Sequence, residues 1–343
     1  MTLANILFGY MPDGRQARLF KIETNQGLSI SITNYGGIIT SILMPDRLGH
    51  QEEITAGFAN FEDYLKGHPY FGVIAGRFAN RIARGEFEID GQKYLLPVNN
   101  GLNHLHGGPE GFHTRLWDYV LKQNHDSVSI CLTYNSPHLE MGYPGNLSAK
   151  VIYTIFENNV LQINFEATTD APTHLNLTNH AYFNLSGFKS NVFSHHLFVN
   201  ATNYLELDHT QIPTGRLLQC RGTAFDYMGK NENMSTVREP MDHCLALNAV
   251  SDMNEPAAIL FHKDSGRRIS LFCTQPGLQI YTGNFLDASL SGHNQTIYNQ
   301  YQAICLETQH FPNTPNQPEF PSTLLVPGKI YRQISRFVFD TLK

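Results

Sequence analysis

His174-Leu175-Asn176-Leu177-Thr178-Asn179-His180-Ala181-Tyr182-Phe183-Asn184-Leu185 is the stretch from which the rest of the chain can be read. With a period of two, His174, Asn176, Thr178, His180, Tyr182 and Asn184 share one face, and Leu175, Leu177, Ala181, Phe183 and Leu185 the other; Asn179 alone is out of pattern. The alternation predicts a strand with one face in a core. A face that met only water would show Lys, Glu or Arg more often, whereas this one carries amides, hydroxyls, a phenol and imidazoles. Those groups suit a neutral ligand rich in hydroxyls. The alternative is a polar sheet face whose histidines bond only to their neighbours.

Outward from this stretch the same short period recurs. Residues 17–23, 28–33 and 38–44 alternate apolar with polar and are separated by turn residues, so the chain opens as a meander. Residues 86–89 and 92–96 flank Asp90-Gly91, a pair that tolerates positive φ and predicts a hairpin; Asn158-Asn159 predicts a second, between residues 147–156 and 160–168. Further strands are expected at 127–134, 196–201, 258–261, 268–273, 279–282, 303–307 and 336–339. The convincing helical signal of the first third is at 58–65, with Asn60 as cap. Residues 228–233 and 287–299 are polar enough for exposed loops. This many strands exceeds one sandwich of immunoglobulin size, so the expected architecture is all-β: one large antiparallel sandwich, a single domain over residues 1–343.

Composition narrows the partners. With 24 basic and 30 acidic side chains in 343 residues the formal charge is -6, and no Lys/Arg-rich run exists, so the electrostatic footprint of a nucleic-acid binder is missing. Five scattered cysteines without a CxxC are expected to be reduced core residues of a cytoplasmic protein. The N-terminal residues show no basic segment followed by an apolar stretch, and no apolar run is long enough for a transmembrane helix. A small uncharged molecule is the expected partner, without nucleic acid or membrane, for a monomer or homodimer.

Several groups could carry chemistry. Glu307 ends Ala303-Ile304-Cys305-Leu306-Glu307, where a carboxylate after a buried run needs a partner or a task. Asp242 raises the same question ahead of Cys244-Leu245-Ala246-Leu247. Among 16 histidines, His180 and His106 stand out because neutral hydrogen-bonding residues or glycines flank them; His195, His196, His209 and His293 are expected in surface or loop roles. His104 and His106 share a face, with Gly107-Gly108 opening space beside them. A zinc site on His104, His106 and a distant carboxylate lacks a recurring close-spaced ligand set, and Gly107-Gly108 lacks the surroundings of a phosphate loop, so no metal or cofactor is expected. Arg81, after Asn80 in a Gly/Ala-rich segment, is either half of a structural ion pair or a guanidinium fork for vicinal hydroxyls.

Taken together, Gly76-Arg77-Phe78-Ala79-Asn80-Arg81-Ile82, His104-Leu105-His106-Gly107-Gly108 with Gly111-Phe112 and Trp117, Gly142-Tyr143-Pro144-Gly145, Asn179-His180-Ala181-Tyr182-Phe183-Asn184-Leu185, Asp242-His243, residues 275–284, and Cys305-Leu306-Glu307-Thr308-Gln309 with Asn316-Gln317-Pro318 resemble the aldose 1-epimerase (galactose mutarotase) family. The pieces stand in the family's order over nearly the whole chain. The resemblance implies a β-supersandwich with one sugar cleft and no cofactor. It implies His180 as general acid and Glu307 as general base, with Asn80, Arg81, His106, Tyr182, Asp242 and Gln279 binding or orienting an aldose such as galactose or glucose. One departure is Leu245, at a position often aromatic in the family, which puts any ring contact from there in doubt. Three rivals remain: a glycoside hydrolase using Glu307 with Asp242, a sugar-binding protein without turnover, and a phosphosugar epimerase drawing on Arg77 and Arg84 beside Arg81.

Overall fold

A computed structural model describes residues 1–229, 234–248 and 253–342. Alternating apolar residues build three large antiparallel sheets. The N-terminal meander is five-stranded and includes Gln16–Glu23, Ser29–Thr33 and Ile39–Pro45, as the sequence predicts. It also contains Thr2–Tyr10, whose mostly exposed residues gave no alternation to read. The largest sheet has nine strands, running in space from Asp118–Gln123 through Ser127–Ser136, Leu147–Phe156, Val160–Thr169, Tyr331–Thr341, Arg267–Cys273, Ala258–His262 and His195–Val199 to Ser235–Thr236. The third, six-stranded, orders Tyr182–Phe183, Ile304–Gln309, Gly277–Tyr281, Asp242–Leu247, Ala201–Leu207 and Pro213–Gln219. The inner faces of all three meet in one apolar cluster that draws on Phe20 and Ile42, on Val151 and Phe337, and on Leu278 and Leu306. This is a β-supersandwich.

The local turn chemistry is as expected. Asp90 and Gly91 take φ of 50° and 77° between Glu86–Ile89 and Gln92–Leu95, and Asn159 takes 59° between Leu147–Phe156 and Val160–Thr169. The early helix is Phe61–Leu65, with Asn60 at the N-cap position; its amide contacts Asp63 instead of a backbone N–H. Residues 287–299 are largely exposed, apart from buried Tyr298. The loop expected at 228–233 lies mostly outside the described residues, although Met228 is exposed. All five cysteines are free thiols, four of them buried. Among the described residues no helix is long and apolar enough to cross a membrane.

The opening stretch departs from its reading. Instead of one strand, residues 173–185 form three two-residue strands, Thr173–His174, Thr178–Asn179 and Tyr182–Phe183, each paired with a different part of the chain. Every residue from Thr173 to Ser186 is buried, so neither face meets bulk solvent. Most polar side chains here wire the segment to its surroundings: His174 Nδ1 lies 2.9 Å from Thr323 Oγ1, Asn176 bonds to the backbone of Ala79 and His310, and Asn184 donates to the carbonyls of Ser190 and Gln302. A fragmented strand has few ladder bonds of its own, and these amides replace them. His195 is also corrected. It is fully buried, and its Nε2 accepts the Leu185 N–H.

Candidate active site

Register in the six-stranded sheet decides which side chains share a face. Cys305 stands opposite Tyr182 on one side and Tyr281 on the other, Tyr281 stands opposite Asp242, and Glu307 opposite Gln279. Period two then sends Ile304 and Leu306, Leu278 and Ile280, Phe183 and Leu245 to the reverse face, where all join the main core. Leu245 therefore points away from the row containing Asp242, and a ring at this position would lie in the core.

The row of polar residues floors a cavity of about 270 Å³, lined among others by Asn80, Arg81, His106, His180, Tyr182, Asp242, Gln279 and Glu307. Its size is at the small end of ligand cavities, roughly 300–1,000 Å³. All eight residues expected from the sequence meet here. Tyr70, Asn100, Tyr281 and Phe285 also line it and were missed. The two-residue spacing from Gln279 could have flagged Tyr281. Tyr70, at φ 62° between strands, and Asn100, in a loop, carry no periodic signal.

Irregular backbone supplies the opposite wall. Asn80 and His106 both adopt positive φ, 67° and 50°, and are bonded to each other: the Asn80 N–H donates to His106 Nδ1, and the His106 N–H to the Asn80 carbonyl. Gly107, at φ 84°, closes this turn; a Cβ there would come within 1.8 Å of the Gly76 carbonyl oxygen, so the glycine permits close packing instead of opening space. His104 parts from His106 here. Its ring is fully buried between the Pro97 carbonyl, 2.7 Å from Nδ1, and the Tyr143 hydroxyl, 2.8 Å from Nε2.

Arg81 lies 3.3 Å from Asp242 Oδ2 and donates through Nε to Asn100 Oδ1 at 3.0 Å, while Gln279 Nε2 donates to Asp242 Oδ1 at 2.6 Å. Both carboxylate oxygens of Asp242 are thus engaged. Arg77, by contrast, is buried and spends its guanidinium on Ser136 and the carbonyls of Ser136, Pro137, Pro144 and Gly145. Arg84 is exposed and lines another hollow. Arg81 is the one Lys or Arg among the lining residues, and Asp242 neutralises it.

At the floor, His180 Nε2 stands 3.5 Å from Glu307 Oε1. Burial pushes the imidazole down to about 4 and the carboxyl well above its ordinary range; Asp242 adds to the rise of Glu307 and Arg81 opposes it. Glu307 Oε2 is buried without a hydrogen-bond partner. His106, His180 and Glu307 bring one ligand atom each within 4.8 Å of one another, which invites a metal reading. The tautomer of His106 opposes it. Because Nδ1 accepts an amide proton, the neutral ring carries its own proton on Nε2 and presents a donor, not a lone pair.

A β-supersandwich with hydrogen-bonding side chains around an imidazole–carboxylate pair defines a mutarotase-like protein. The chain belongs to the aldose 1-epimerase family, whose model matches residues 18–337. It is 40% identical to galactose mutarotase from Sus scrofa and 38% to that from Homo sapiens, each alignment covering 99% of this chain, and 99% of the pig protein. It is 34% identical to aldose 1-epimerase from Escherichia coli K12 over 96% of both chains. Among solved structures, an aldose epimerase homologue from C. elegans superposes with TM-score 0.87 at 29% identity, covering 95% of this chain and 100% of the other. Galactose 1-epimerase from Lactobacillus acidophilus superposes at 0.86 and 25%, covering 100% and 99%.

Proposed function

We propose that this chain is an aldose 1-epimerase that interconverts the α and β anomers of free hexoses, with Glu307 as general base and His180 as general acid. The observation that carries the reading is the 3.5 Å approach of His180 Nε2 to Glu307 Oε1 at the floor of the cleft. Mutarotation acts on two oxygens that share one carbon, the anomeric hydroxyl and the ring oxygen, so its acid and base must be neighbours.

Glu307 takes the proton of the C1 hydroxyl as the C1–O5 bond breaks and C1 becomes a carbonyl. His180 gives its Nε2 proton to O5. Rotation about C1–C2 presents the other carbonyl face, O5 attacks it, and both protons return. Charge bookkeeping within the pair runs from imidazolium plus carboxylate to imidazole plus carboxylic acid. Burial favours the second state, as the opposite shifts of His180 and Glu307 indicate, so the imidazolium–carboxylate state from which ring opening starts is the less populated of the two. Asn80, Arg81, His106, Tyr182, Asp242 and Gln279 bind or orient the sugar. His106 offers Nε2–H; Tyr182 offers its ring and an oxygen lone pair, since its O–H donates to the Pro69 carbonyl at 2.6 Å.

The rivals lose ground on particular contacts. Asp242 is committed to Arg81 and Gln279 and is poorly placed to serve as a hydrolase's second carboxylate. A phosphate would find Arg81 already neutralised and Arg77 and Arg84 elsewhere. Polarimetry of freshly dissolved α-galactose and α-glucose tests the assignment. Wild type should speed relaxation, and His180→Asn and Glu307→Gln should each lose at least ~10²-fold in kcat, the usual share of a general acid or base; a variant at full rate removes its residue from the chemistry.

A further inference from the structure

The floor of the cleft contains one group that the reaction above does not use. Cys305 is fully buried, two residues before Glu307 on the same face of the same strand, and its Sγ lies 3.5 Å from His180 Nδ1. Glu307 Oε1, 3.5 Å from Nε2, meets the other polar edge of the imidazole, and the aromatic neighbours leave the identity of its ring atoms undetermined. Tyr182 and Tyr70 lie nearly parallel to it, at 5.0 and 6.0 Å between centroids; Tyr281 and His106 present edges at 6.4 and 5.1 Å. These rings fix the plane of His180. Turning the imidazole over within that plane would exchange Nδ1 with Cδ2 and Nε2 with Cε1, and the aromatic packing has little to oppose it.

We propose that Cys305 is a positioning residue for His180: its sulfur accepts Nδ1–H, which keeps Nε2 aimed at the ring oxygen and makes Nε2 the proton that leaves. The proposal rests on the assignment of His180 as general acid. An imidazolium carries protons on both nitrogens, and after Nε2–H has gone to O5 the neutral ring must keep its proton on Nδ1. The sulfur meets Nδ1–H in both states, so the ring need not move during the cycle. It is also a weak acceptor. A carboxylate or carbonyl at this point would stabilise the imidazolium and hold back its proton, as the histidine partners of stronger bases show; a thiol orients without that penalty on proton release. Burial raises the Cys305 thiol well above its ordinary range, with Glu307 and Asp242 adding to the rise, so the sulfur stays a neutral thiol.

The test separates orientation from packing. Cys305→Ala should lower kcat about 5- to 20-fold with KM within about twofold, because sugar contacts are untouched and only the delivery of the proton is impaired, whereas Cys305→Ser, whose Oγ can still accept Nδ1–H, should keep kcat within about threefold of wild type. Cys305→Asp, if it folds, should move the acid limb of the kcat profile upward by stabilising the imidazolium. ¹⁵N-resolved NMR of the imidazoles reads the tautomer directly, without turnover: wild-type neutral His180 should carry its proton on Nδ1, and Cys305→Ala should show a mixture of tautomers. An unchanged tautomer together with wild-type kcat in Cys305→Ala would overturn the positioning role while leaving His180 as acid. Full activity in His180→Asn would instead overturn the acid assignment on which the role depends.

Discussion

His174 and His180 stand six residues apart in one stretch, on what alternation makes the same face, and their surroundings differ completely. Both are buried, and burial depresses each to about 4, against a backbone hydrogen bond that raises His180. His174 lies outside the cleft: Nδ1 meets Thr323 Oγ1, and the Phe87 ring packs against it edge to face. His180 faces a carboxylate, a thiol and an open cavity. The pair His104 and His106 repeats the contrast two residues apart, one ring closed between Pro97 and Tyr143 and the other aimed at the cleft. Burial and a displaced pKa therefore do not mark a functional histidine in this fold. What marks it is a carboxylate and an open cavity beside the ring.

The sharpest way to break this contrast is to make the same substitution at both ends. His180→Asn is expected to lose at least ~10²-fold in kcat with little change in thermal stability, whereas His174→Asn should keep kcat within about threefold and lower the melting temperature, because it leaves Thr323 and the Phe87 packing unsatisfied. Polarimetry and calorimetry on the two proteins decide it; a large rate loss in His174→Asn would put both histidines in one catalytic network. A smaller effect is expected where the cleft's charges meet. Asp242→Asn leaves Arg81 without its counter-ion and disturbs the Gln279 contact, so KM should rise about 10-fold, in keeping with charged hydrogen bonds worth about 1.5–3 kcal/mol. An unchanged KM for galactose and glucose would make that cluster structural only.

The mildest test is of what the two kinds of histidine have in common. Burial brings His104, His113, His174, His180 and His310 down to about 4, and His68 and His195 to about 3. In the unfolded chain each titrates near 6.5. As pH falls from about 6.5 the unfolded state takes up protons that the native state refuses, so stability is intact above about 6.5 and is lost progressively toward about 4. Denaturant melts between pH 7 and 4.5 should show this loss, with a shallower slope in His174→Asn. A pH-independent midpoint over that interval would mean the buried rings are solvated.

The fold class was legible because strand alternation and turn residues such as Asp90-Gly91 act over a few neighbours, and the site residues came into view through motifs in a fixed order. The sequence could not show that the polar face of residues 174–185 is mostly internal wiring, since alternation records which side chains share a side and says nothing of what lies opposite them. It singled out Arg81 but left open whether Arg77 shares its site; Arg77 proves to be spent on carbonyls, whereas Arg81 meets Asp242 161 residues away.

By itself, then, the sequence determined a sheet-rich chain of the aldose 1-epimerase pattern with a hydrogen-bonding cleft suited to an uncharged ligand. Tertiary structure decided which histidines face the cleft, that Leu245 faces the core, and that Cys305 touches His180. The reason is physical: periodicity is set by the backbone of each segment alone, whereas a side chain's free valence depends on segments brought to it from a hundred or more residues away.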